Sequence, residues 1–221
     1  MYSLSTSLDD NKDSGRGGAG LRKQGVNGKE SRLRLLNAAA EEFALNGFYQ
    51  TKISSIVARA GLTQPAFYLY FESKEAAFAE LVDDFRKGMN QVVRDSHIQP
   101  GKNRADLQQA VVVSLEQIYR YLAENPALTR IGFYQSTESV RIKAEVARLM
   151  ERNLIEEQRF GYYRHDLDTE FTAECLLGII ERLTLIKLLP GREGPSQLAQ
   201  RTQDLFFHGI LDNDYGEDGR K

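Results

Sequence analysis

Residues 47–75, GFYQTKISSIVARAGLTQPAFYLYFESKE, constrain this chain more than any other stretch. Ile53, Ile56, Val57 and Ala60 recur at helical period and form an apolar stripe one short helix long. Thr51 precedes the stripe as the expected N-cap, its hydroxyl suited to accept from an orphan N–H of the first turn. Gly61 falls where a helix end favours a left-handed residue. Leu62 is placed to plug the gap between two helices. Thr63 is a second N-cap, and Pro65 lies in the first turn of the next helix, where a missing N–H is harmless. Phe67 and Phe71, four apart, share an inward face. Gln64, Ala66, Tyr68, Leu69 and Tyr70 are left outward or at the edge. Two short helices around a glycine turn make the helix-turn-helix pattern, whose second helix enters the DNA major groove.

The flanks support the same reading. Asn27 and Glu30 have capping-box spacing, which predicts a first helix from residue 27. Leu35, Leu36, Ala39 and Phe43 form its stripe, and Asn46-Gly47 ends it, with Phe48 as the accompanying apolar contact. Ser73 is expected to cap a fourth helix, with Glu75 in its first turn. Phe78, Leu81, Val82, Phe85, Met89 and Val92 continue that helix.

The segment LLNAAAEEFALNGFYQTKISSIVARAGLTQPAFYLYFESKEAAF resembles the N-terminal domain of the TetR family of bacterial transcriptional regulators. The shared pattern is a first helix ending in F-x-x-x-G-F, a Thr before the second, A-G-[LV]-[ST] at the turn, and Y-x-Y-F-x-S-K-E leading into the fourth. The resemblance implies that Thr63, Gln64, Ala66, Tyr68, Leu69 and Tyr70 occupy the recognition helix. Gln64 suits an adenine edge and Ala66 a thymine methyl. Tyr68 and Tyr70 carry hydroxyls for phosphates. Lys74 with the start of the fourth helix suits a phosphate as well, and so does Thr51. Pro65 stands where many relatives have Gly, and Leu69 where His is common, so base preference does not transfer. Packing alone accounts for Phe71, and Tyr70 divides between core and contact surface. Gln64 and Lys74 also have an ordinary reading as solvated side chains.

Charge distribution fits a DNA-binding head better than the net charge of −2 does. Residues 21–75 hold eight Lys/Arg against five Asp/Glu, and residues 76–221 hold nineteen against twenty-three. A basic head on an acidic body has the right sign, without a strongly basic stripe. The apolar content of 41% supports a sizeable core. No apolar run is long enough for a membrane span, and MYSLSTSLDD does not read as a secretory signal. One cysteine, Cys175, allows no internal disulfide, which fits a reducing cytoplasm.

The expected architecture is all-α in two domains. Residues 1–26, rich in Ser, Gly, Asp and Lys, read as a disordered tail. Residues 27–75 form the DNA-binding domain, 76–212 a helical body, and 213–221 a frayed end. Within the body, helices are expected over 104–125, 126–137, 138–160, 168–189 and 196–211. The helix 168–189 is apolar on more than one face, which predicts a self-complementary interface with a second copy. Phe171, Leu176, Ile180, Leu183, Leu205 and Phe206 are the candidates for it. The resemblance implies the same homodimer. A two-fold dimer would set its recognition helices about 34–36 Å apart on a palindromic double-stranded operator.

The resemblance also implies a small-molecule effector in the body that releases the operator. Leu115, Ile118, Tyr119, Leu122, Phe133, Tyr134, Met150 and Cys175 are the candidate pocket residues. An apolar ligand would suit them, although any helical bundle has such residues as packed core. No cofactor is expected. His97, His165 and His208 lack zinc-type spacing, and His165-Asp166 with Asp168 and Glu170 reads as a solvated helix-cap cluster. There is no G-x-S-x-G, P-loop or dinucleotide turn, so neither an enzyme nor a metal site is expected. The competing reading is a helical protein–protein interaction module that does not bind DNA.

Overall fold

The computed structural model describes residues 18–210, with side chains from residue 28 onward. Among these residues every regular element is helical. The all-α expectation therefore holds.

Helix α1 spans Gly18–Gln50. This corrects two expectations: residues 18–26 are helical rather than unstructured, and Asn27 lies inside the helix rather than capping it. The segment LRKQGVNGKE has no proline, and its Leu, Arg, Lys and Gln lose little rotamer freedom in a helix. Its glycines weaken the helix without stopping it. The rest of the expected N-terminal tail, 1–17, and the expected C-terminal tail lie outside the described residues. Gly47, at φ 74° and ψ 163°, breaks the regular spiral as Asn46-Gly47 predicts. Phe48 then folds back, its ring 5.8 Å from Phe43 and 4.9 Å from Phe78 of α4.

Helices α2 (Ile53–Ala60) and α3 (Gln64–Tyr68) follow. Thr51 does not cap α2. It is buried, and its hydroxyl lies 2.8 Å from the Gly47 carbonyl and 3.1 Å from that of Glu42. Lys52 takes the N-cap position without a side-chain bond. The reason is local: after the Gly47 break the chain turns inward, and the Thr51 hydroxyl satisfies carbonyls at the end of α1. Gly61 is left-handed at φ 63°, and the Leu62 N–H closes the α2 terminus on the Val57 carbonyl at 2.8 Å. Thr63 holds the cap position of α3 by extended backbone alone. Ser73 caps α4 (Lys74–Asp95), its hydroxyl accepting from the Ala76 N–H at 3.1 Å.

The body comprises α5 (Arg104–Glu124), α6 (Pro126–Arg130), α7 (Ser139–Arg159), α8 (Thr169–Leu183) and α9 (Pro195–His208). α6 widens into a π-type turn over Ile131–Gln135, and α8 into another over Thr184–Leu188. α5 packs on α9, α7 packs on α8, and α4 packs on both α1 and α7. α4 therefore belongs to head and body at once. Its Phe85 is fully buried against Gly132, where a Cβ would come within 1.9 Å of the ring. No larger residue lets the π-type turn approach α4 this closely.

Candidate nucleic-acid interface and effector cavity

The recognition helix is fixed from within. Phe67 and Phe71 are buried, 5.4 Å apart between ring centroids. The Arg32 guanidinium lies 5.0 Å from the Phe71 centroid and also pairs with Glu80 at 2.6 Å. With that face anchored, Thr63 and Gln64 are exposed, Tyr68 is 57% exposed and Leu69 79%. Ala66 is half-buried between them. An amide, a methyl and an aromatic hydroxyl on one protruding face suit base edges and phosphates.

Two expected contacts have other partners. Lys74 donates to the Phe48 carbonyl at 2.8 Å and the Thr51 carbonyl at 3.0 Å, with its ammonium 4.5 Å from the Phe48 centroid. It staples the α1–α2 link to the start of α4. Thr51 is buried beneath that link, so its hydroxyl does not reach a phosphate. Tyr70 is half-buried and leans on α1: a Cβ added at Gly28 would lie 3.6 Å from its hydroxyl.

The link and the first turn of α2 also present exposed residues that the sequence reading leaves unassigned. Tyr49 is 88% exposed, and Lys52 and Ser54 are exposed at the start of α2. The available signal was position: a link directly before a helix N-terminus offers side chains beside free N–H groups on the side away from the core. Two other head cations, Arg59 and Arg34, are engaged internally. Arg59 pairs with Glu42 at 2.6 Å and Glu41 at 2.8 Å, and its guanidinium holds the Glu42 carboxyl below the ordinary carboxylate range. Arg34 caps the Ala60 carbonyl.

In the body, a cavity of about 820 Å³ opens between α5, the α7–α8 loop, α8 and α9. Of the expected pocket residues, Leu115 alone lines it. Ile118, Tyr119, Leu122, Phe133 and Met150 are packed core. The α5 stripe explains the split: Leu107, Val111 and Leu115 face the cavity, while the next turns enter the core. Tyr119 bonds the Thr202 hydroxyl at 3.1 Å, and burial pushes its phenol up to about 12. Tyr134 donates to the Glu181 carbonyl at 2.8 Å. Cys175 lies instead in a groove of about 550 Å³ between α8 and α9, with Leu183 and Leu205. Among the other expected interface residues, Phe171 is exposed, and Leu176 and Phe206 line the cavity. Ile180 is fully buried within the protomer, so it has no surface for a partner.

The cavity mouth is bonded to the segment that follows α4. The Tyr162 hydroxyl donates to the Gln99 carbonyl at 2.8 Å and accepts from the Lys102 N–H at 3.0 Å. Buried Glu157 accepts from the Ile98 N–H at 2.9 Å and the Tyr163 hydroxyl at 3.1 Å. Asn153 donates to the Val93 carbonyl at 2.8 Å. No helix of the described residues is long and apolar enough to cross a membrane.

A protruding second helix on a three-helix head, joined by one long helix to a helical body, defines a helix-turn-helix transcriptional regulator. Residues 35–81 match the family described as bacterial regulatory proteins, tetR family. The HTH-type transcriptional regulator YdgC of Bacillus subtilis is 44% identical over 184 residues, covering 83% of this chain and 94% of that one. The fatty acid metabolism regulator protein of the same organism is 25% identical over 157 residues, covering 67% and 79%. The solved TetR-family regulator PfmR of Thermus thermophilus superposes with a TM-score of 0.68 at 20% identity, over 81% of this chain and 100% of that one. The B. subtilis regulator FadR, solved in complex with stearoyl-CoA, superposes at 0.62 with 19% identity, over 81% and 99%. The chain belongs to the TetR family of transcriptional regulators, and these relatives are regulators rather than enzymes.

Proposed function

We propose that this protein is a cytoplasmic homodimeric repressor that holds a palindromic operator and releases it when a small, largely apolar ligand enters the body. The observation that carries this reading is the path from head to cavity. α4 starts at the Lys74 staple beneath the DNA-binding link, and the segment that follows it bonds to Tyr162 of the cavity wall and to Glu157, which is bonded in turn to Tyr163 of that wall. A ligand that rearranges the mouth then shifts α4 and, with it, the spacing of two heads. The coupling expected of such a device is about 1–3 kcal/mol.

Gln64, Ala66, Tyr68 and Leu69 contact bases and adjacent phosphates in this reading. Tyr49, Lys52 and the free N–H groups at the start of α2 hold a phosphate. The exposed α8–α9 groove, with Leu183, Leu205 and Ile179, receives a second copy. Selection of bound duplexes from a random library tests the reading, comparing wild type with Gln64→Ala/Tyr68→Ala at two salt concentrations. An enriched palindrome, lost in the variant, is expected. A folded protein that enriches no duplex, with or without ligand, would leave the protein–protein module as the better account.

A further inference from the structure

We infer that the body cavity takes an amphiphile with an anionic head, and that Gln203 is a polar anchor within it. This rests on the effector reading above and specifies its chemistry. The cavity is large enough for such a molecule, since sites of about 300–1,000 Å³ enclose drug-sized ligands. Its walls are apolar along Leu107, Val111, Leu115, Leu154 and Phe207. A chain of methylenes fills such a wall, and each buried methylene tightens binding about fourfold.

The charge at the rim is one-sided. Lys102, Arg104 and Arg164 line the cavity, and no Asp or Glu does. This reverses the sign of the surrounding body, where acidic residues are in excess. Arg164 has one loose carboxylate neighbour, Asp166 at 3.4 Å, outside the lining. An anionic head at this rim gains charge-assisted hydrogen bonds, whereas a cationic head meets three like charges.

Gln203 adds an independent observation. It lines the cavity from α9 and is 3% exposed. Its amide oxygen accepts from Gln200 at 3.3 Å, and its amide nitrogen has no partner. A buried amide donor left unpaired is costly, and native proteins rarely keep one without a reason. The amide nitrogen is itself buried, and a turn of this side chain into the cavity it lines pairs that nitrogen with a carbonyl or carboxylate oxygen of the ligand.

Titration calorimetry on the full chain, without DNA, tests this with four twelve-carbon probes below their micelle concentrations. These are dodecanoate, dodecanoyl-CoA, methyl dodecanoate and dodecylammonium. Dodecanoate or dodecanoyl-CoA should bind at least about tenfold more tightly than the ester or the ammonium, the scale of one charge-assisted bond. Which of the two binds separates a free carboxylate from a phosphate-bearing thioester as the source of the charge. Lys102→Gln/Arg164→Gln should remove the preference for anions while leaving the ester's affinity within twofold. Gln203→Met, unbranched and close in size, should weaken the anionic probes and the ester alike with its circular dichroism unchanged. Equal or tighter binding of the ester or the ammonium, binding of none of the four, or anion affinity unmoved in all variants would overturn the proposal. Anion binding that leaves a selected operator bound would uphold the ligand class and sink only the release step of the proposed function.

Discussion

Replacing Lys74 with Met separates two roles that one lysine can play in a DNA-binding head. The substitution keeps most of the aliphatic stem and removes the ammonium. Two hydrogen bonds go with it, to the Phe48 carbonyl at 2.8 Å and the Thr51 carbonyl at 3.0 Å, together with the contact over the Phe48 ring. Bonds from a charged donor contribute about 1.5–3 kcal/mol each when well buried, and an exposed cation–π contact about 0.5–1 kcal/mol. Lys74 is only half-buried, and water can replace its ammonium at both carbonyls. Solvent screening therefore brings the expected net loss to about 1–2 kcal/mol. For a chain of this size that lowers the melting temperature by about 2–8 °C. The assay is thermal and urea denaturation followed by circular dichroism at one fixed protomer concentration, with operator affinity measured across a salt series. Operator affinity should fall through loosening of the α1–α2 link, with the slope of log affinity against log salt unchanged. A phosphate-binding lysine behaves oppositely: stability holds and the slope falls by about 0.9. Wild-type melting with a reduced slope would refute the staple.

Gly132→Ala should destabilise the fold by about 1–3 kcal/mol in urea denaturation, the usual cost of overpacking, because its Cβ would lie 1.9 Å from the Phe85 ring. Phe85→Leu in the same chain should recover part of that loss if the clash is the cause. Glu157→Gln tests the buried carboxyl at the end of α7. Burial raises its pKa above the ordinary 4.5, partly offset by the Ile98 N–H and the Tyr163 hydroxyl. The native state therefore keeps this proton to higher pH than the unfolded chain, and stability falls as pH rises through that window. The variant cannot ionise, so its stability relative to wild type should climb from pH 4.5 towards neutrality in urea titrations. A flat difference would rule out burial of the charge as the cause.

The head was legible because its signals are local. The Gly47 and Gly61 turns, the Ser73 cap and the Phe67–Phe71 face follow from backbone sterics and helical period, which act over a few residues. The capping-box spacing of Asn27 and Glu30 does not mark the start of α1, because such a spacing does not stop a helix when good helix formers precede it. For Thr51 and Lys74 the family resemblance implies phosphate contacts. Instead Thr51 bonds the carbonyls of Gly47 and Glu42, and Lys74 bonds those of Phe48 and Thr51, which only the fold brings within reach of α4.

The body shows the opposite balance. Its helices were visible as apolar stripes, but a stripe does not state what it faces. Leu115 lines a cavity while Ile118 and Leu122, on the same stripe, are core. Ile180 and Leu183 lie three apart on α8, and one is sealed in the protomer while the other lines an open groove. Gln203 and the basic rim gave no sequence signal, because their meaning lies in which residues are absent around them. Residue order along the chain was enough to place most helices and their turns, and to tell the buried side of α3 from its outward side, since these depend on near neighbours. The tertiary structure alone decided which side chains remain unsatisfied, where space is left, and which helix joins head to cavity. Those properties depend on how distant helices diverge, and no local pattern of residues encodes that distance.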